Sequence, residues 1–129
     1  MKGPELYRQI DLKAKVYSAS PHQLIALMYE GVLTSLAEAR QAMESNQLSA
    51  KGQHITKAIT ILSGLRESLD LSIESDFPHN LDNLYDYMQR RLLQASTEMD
   101  VSMIEEVSEL LLVVKSGWDQ IKPQRPESR

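Results

Sequence analysis

Ile25, Tyr29, Val32, Leu36, Ala39 and Met43 recur at alternating spacings of four and three, which marks one inward seam of a packed helix. Ahead of them Ser20 can cap, Pro21 suits a first helical position that needs no amide partner, and Gln23 completes a capping box. A helix is therefore expected over 21–43, broken by Glu44-Ser-Asn-Gln. The stripe Ile55, Ala58, Leu62, Leu65 and Leu69 predicts a second over roughly 49–73, with Gly64 inside it at some cost. Pro78 cannot continue a helix and Asn80 can cap one, so the third is expected to follow Asn80 and to end near 96–99. It places Leu81, Leu84, Tyr85, Met88, Leu92 and Ala95 inward. Asp100 then caps a fourth helix carrying Ile104, Val107, Leu111, Val114 and Trp118. Short connections between amphipathic helices predict an all-α, antiparallel up-and-down four-helix bundle over 20–121, followed by a flexible tail at 122–129.

The segment before the bundle, 1–19, holds Leu6, Tyr7, Ile10 and Ala14 at helical spacing but is too short to be stable alone. Two readings fit: a fifth helix packed permanently on the bundle, or a detachable cap, helical or extended, over an apolar groove. The 129 residues suit a single domain, and 42% hydrophobic content supplies a core without disulfides. A formal charge of −4 argues against nucleic acid as a partner. The absence of cysteine excludes thiol chemistry and fits a reducing compartment. Met1 to Asp11 lacks the apolar run of a signal peptide, and the longest such run, Leu110 to Val114, is far too short to span a membrane. A soluble, cytoplasmic protein without membrane insertion is expected.

Nothing in the chain spells catalysis. His22, His54 and His79 fall in different segments without HExxH or ExxH spacing, so no metal or other cofactor is expected, and each imidazole reads as solvated. Asp82 with Asp86, and Glu105, Glu106 and Glu109, lie on faces expected to be solvated. Gly31, Gly52, Gly64 and Gly117 are isolated and form no phosphate loop. Arg90 and Arg91 make a small basic spot without an aromatic platform.

The positive signal is apolar surplus. At 100° per residue the fourth helix cannot hide all of Leu110 to Val114, and Val113 points nearly opposite the seam. Leu27, Ile61, Leu71, Tyr87 and Leu93 also fall off their seams. Either these residues flank a wide core, or they form a groove for a segment of another protein. The wheel positions select Leu24, Leu27, Ile61, Tyr87, Leu110, Val113 and Val114 as groove residues. A self-associating structural bundle or adaptor, with these residues in a homodimer, is the alternative.

Ser18-Ala-Ser-Pro-His-Gln-Leu24 followed by Met28-Tyr-Glu-Gly31 resembles the start of the FliS-type flagellar secretion chaperones. Lys57-Ala-Ile-Thr-Ile-Leu62, Leu65-Arg-Glu-Ser-Leu-Asp70, the run from Asn80 to Ala95, Asp100 to Leu111 and Trp118 are similar to the same pattern in the same order. Tyr7 stands at the expected distance before the Ser-Ala-Ser-Pro turn. Ser18 and Glu30 depart from the usual Thr and Asp and keep the chemistry, while Ser96 replaces an Asn at the end of the third helix, a residue better suited to a left-handed cap. The resemblance implies a non-enzymatic cytoplasmic chaperone that binds the disordered C-terminal segment of flagellin one to one, prevents premature polymerisation and supports delivery to the flagellar type III export apparatus. It further implies export gate components, an anti-sigma factor or a co-chaperone as additional partners, and Tyr7 and Ile10 as cap residues that compete with the client.

Overall fold

A computed structural model describes residues 19–121 of the chain. Four helices follow one another: α1 (Pro21–Glu44), α2 (Leu48–Glu67), α3 (Asp76–Glu98) and α4 (Val101–Gln120). Each packs on its neighbour in sequence, and α4 closes the ring against α1, giving an all-α up-and-down four-helix bundle. No strand occurs among the described residues.

The seams read from spacing are the core. Val32, Leu36 and Ala39 of α1, Ala58 and Leu62 of α2, Met88, Leu92 and Ala95 of α3, and Val107 and Leu111 of α4 are fully enclosed. α1 and α2 approach most closely. A Cβ on Gly31 would lie 3.1 Å from Ile61 Cδ1, and one on Gly64 only 2.9 Å from Met28 Cε, so the helices meet where side chains are smallest. Ser35 belongs to the same small-residue stripe, and its buried hydroxyl has no partner among the described residues. Its size, rather than its hydroxyl, accounts for its place there.

Several local features differ from expectation, each for a nameable reason. The predicted α1 start holds, with Ser20 and Gln23 forming the reciprocal capping box. α2, expected to reach residue 73, stops at Glu67. Leu69 still leans on the core and so prolongs the apolar stripe, but Asp70 accepts hydrogen bonds from the Ser72 amide and hydroxyl, which offers the backbone a turn in place of helix. α3 begins earlier than expected, at Asp76, because Ser75 caps it through the Phe77 amide. Pro78 occupies the first turn, where an amide would have no carbonyl to reach, and its ring is buried. Asn80 is therefore inside the helix rather than its cap. The left-handed residue after α3 is Met99 (φ 54°), three positions beyond Ser96, and Asn46 (φ 57°) takes the same conformation after α1. Asp100 caps α4 through the Ser102 amide, as expected.

Ion pairs join neighbouring helices outside the core. Arg66 of α2 holds Asp82 at 2.7 Å and Asp86 at 3.2 Å on α3, and also donates to Gln89 at 2.9 Å. The two carboxylates expected to be solvated thus converge on one guanidinium. Arg91 pairs with Glu106 of α4 at 2.7 Å and Arg90 with Asp86 at 2.9 Å, which dissolves the basic spot. The hydrogen bond from Arg66 holds the Asp82 carboxyl below the usual carboxylate range. A carboxyl whose folded pKa lies below its unfolded value stabilises the fold above the unfolded pKa and loses that contribution as pH falls through the folded one. Asp82→Asn is therefore expected to lower stability at pH 7 by about 1 kcal/mol or less. The gap to wild type should close as the pH drops below about 4, read from urea midpoints across pH.

Candidate binding groove

The core seam between α3 and α4 opens at the end of the bundle where α1 begins, leaving a cavity of about 420 Å³. Phe77, Leu81 and Leu84 form one wall, Val113, Val114, Trp118 and Ile121 the other, and Tyr29 reaches in from α1. The early start of α3 is what puts Phe77 on this wall, with 65% of its surface exposed. Val113 is 72% exposed on the opposite side. No charged side chain lines the cavity.

Trp118 is held from behind. Its ring stacks on His22 with centroids 4.7 Å apart and planes 13° from parallel. The indole Nε1–H donates to the His22 carbonyl at 3.0 Å, and His22 Nε2–H donates to the Trp118 carbonyl at 3.1 Å. His22, expected to be solvated, instead fastens the first turn of α1 to the last turn of α4, since Pro21 starts the helix beside the indole. Further along the α3–α4 seam the Tyr87 hydroxyl donates to Glu106, which Arg91 also grips, so the open stretch ends at a polar bridge.

Among the residues selected by wheel position, Val113 and Val114 lie in the groove. Leu110, one turn earlier on α4, is half-buried against the core. Ile61 is half-buried in the α1–α2 seam, facing Gly31, away from the groove. Tyr87 belongs to the polar bridge. Leu24 is exposed and Leu27 half-buried, both in the first two turns of α1 at the same end of the bundle. Tyr7 and Ile10 lie outside the described residues.

Sequence reasoning missed Phe77, placed in a loop, and assigned Leu81, Leu84, Trp118 and Tyr29 to the core. The signal was present: these are seam residues at the tip of a bundle, where neighbours on one side run out. Among the described residues no three His, Cys, Asp or Glu side chains gather as metal ligands, and no helix is long and apolar enough to cross a membrane. The arrangement can enclose apolar side chains and offers nothing that polarises a bond.

Fold and site together define a helical bundle with an open apolar groove. The chain belongs to the FliS family of flagellar secretion chaperones: the profile of the family described as flagellar protein FliS matches residues 3–125. It is similar to the flagellar secretion chaperone FliSB of Pseudomonas aeruginosa, with 50% identity over 94% of this chain and 96% of that protein. The flagellar secretion chaperone FliS of Salmonella typhimurium is 42% identical over 95% of this chain and 91% of its own length. The crystal structure of a bacterial flagellar chaperone, 16% identical, matches with a TM-score of 0.71 over 87% of this chain and 94% of that one, a likeness of fold. Membership makes this protein a chaperone and not an enzyme.

Removing the ring behind Trp118 tests the site's rigidity. Since Trp118 is the single tryptophan, His22→Ala should shift its fluorescence to the red and cost about 1 kcal/mol of stability. An unmoved emission maximum would show that the stack does not hold in solution.

Proposed function

We propose that this chaperone binds the C-terminal segment of flagellin in the cytoplasm, one to one, through the α3–α4 groove, and thereby keeps subunits from polymerising before export. The observation that carries this reading is the open apolar wall of Phe77, Val113 and Trp118 in a chain whose family is one of flagellar secretion chaperones. A segment that is disordered as a monomer and builds the filament through apolar stripes needs cover for those stripes, and a groove without charge supplies it. Leu24 and Leu27 extend the contact along the start of α1. Ordering such a segment costs about 2–5 kcal/mol, so binding stays reversible, as hand-over to the export apparatus requires.

Residues 20–121 act as one client-binding unit in this reading, and the preceding segment is the internal competitor. The described chain starts at Ala19, three residues before the His22 that stacks on the groove's Trp118. Tyr7 and Ile10 are thereby within chain reach of the cavity, about 3.3 Å being available per extended residue. Displacement of these two side chains accompanies client entry.

Calorimetry with a synthetic flagellin C-terminal peptide tests the proposal. Wild type should bind at a ratio of one, and Val113→Asp should weaken binding at least tenfold while leaving helical content and melting nearly unchanged. Leu62→Asp, which buries a charge in the fully enclosed core, should instead unfold the bundle. A free protein that light scattering shows to be a stable dimer, with no heat on addition of peptide, would establish the self-associating alternative.

A further inference from the structure

The groove carries a hydrogen-bond donor that has no acceptor among the described residues. Tyr29 and Tyr85 are 2% and 1% exposed, and their hydroxyl oxygens lie 2.6 Å apart. Each phenol brings one O–H, and only one of the two protons can sit between the oxygens. Among the described residues neither hydroxyl has another partner, so the pair holds one surplus proton in a dry setting. Burial pushes both phenols above their ordinary pKa, so the proton is not shed. An unpaired donor at this depth is costly until an acceptor arrives.

Only one of the two residues borders the cavity. Tyr29 lines it and Tyr85 does not, so with Tyr85 donating to Tyr29 the free proton belongs to the ring that borders the groove. Of the side chains around it Leu81, Leu84, Val113 and Val114 have no acceptor, and Asn80, whose amide oxygen could accept, makes no hydrogen bond to either phenol among the described residues. The Trp118 N–H is itself a donor and already engaged.

We infer that the groove takes an apolar polypeptide segment that presents a free backbone carbonyl to the Tyr29 hydroxyl. The identity of that segment as flagellin's rests on the reading above; the donor does not. Carbonyls in the middle of a helix are already paired, and an apolar stripe has no side-chain acceptor, so a free one occurs in a last helical turn or an extended piece. Tyr29 thus sets the register, seating the end of a helical stretch beside it rather than its middle.

Two small probes that differ by one carbonyl, acetophenone and ethylbenzene, test this on the full chain by NMR titration. Tyr29→Phe should weaken acetophenone about three- to tenfold and leave ethylbenzene unchanged. Tyr85→Phe removes the same interphenol bond but spares the Tyr29 hydroxyl, and should leave the ratio of the two affinities at its wild-type value. Both variants lose stability, so an effect confined to Tyr29→Phe is not a consequence of loosened packing. An affinity ratio that is equal in wild type and Tyr29→Phe overturns the inference, as does failure of both probes to bind wild type. The flagellin peptide should lose the same factor with Tyr29→Phe. A peptide that does not bind wild type, while the probes respond as expected, removes the flagellin reading and leaves the donor established.

Discussion

None of the four helices can stand alone in water, and everything else in this protein follows from the shared seam that each buries against the other three. Val32, Leu36, Leu62, Met88, Leu92, Val107 and Leu111 are wholly enclosed, and each needs neighbours from more than one helix. A seam of this kind is satisfied along the middle of a bundle and fails at its tips, where one wall is missing. The tip holding the start of α3 and the end of α4 is left open in this way, and the same residue types that make the core make the groove.

That continuity explains what could be read from the chain and what could not. The capping box at Ser20, the cap at Asp100 and the four seams are local patterns, and local patterns are legible. The end of α2 and the start of α3 differ from expectation because two rules conflict there. Leu69 keeps the apolar period after the backbone has turned, and Pro78 is forbidden within a helix yet tolerated in its first turn. The second conflict conceals Phe77, and with it the most exposed member of one groove wall. The surplus along 110–114 lies on a helix that borders the opening, and Val113 and Val114 line it. Ile61 was unreadable in the same terms, since its place beside Gly31 depends on how closely α1 and α2 approach, a property of the pair and not of either stripe.

Polar groups divide the bundle into functional regions. Arg66 gathers Asp82, Asp86 and Gln89 on the α2–α3 side and leaves that face saturated, with its charges answered. The α3–α4 side is saturated only from Tyr87 onward, where Glu106 and Arg91 close the seam. Above that bridge no ion pair lies in the groove, and the His22 ring stiffens its outer wall without adding a charge to its lining. Rigidity and openness thus coexist, because the stack that fixes Trp118 uses its rear face.

The described chain enters at Ala19 and leaves at Ile121, and up-and-down connectivity brings both points to the tip that holds the groove. Fluorophores or tethers attached at Ala19 or Ile121 themselves therefore crowd the opening they are meant to report on. The tight reversals at Asn46 and Met99 sit at the distal pole, which makes them the geometrically neutral places for attachment in any single-molecule or immobilised assay.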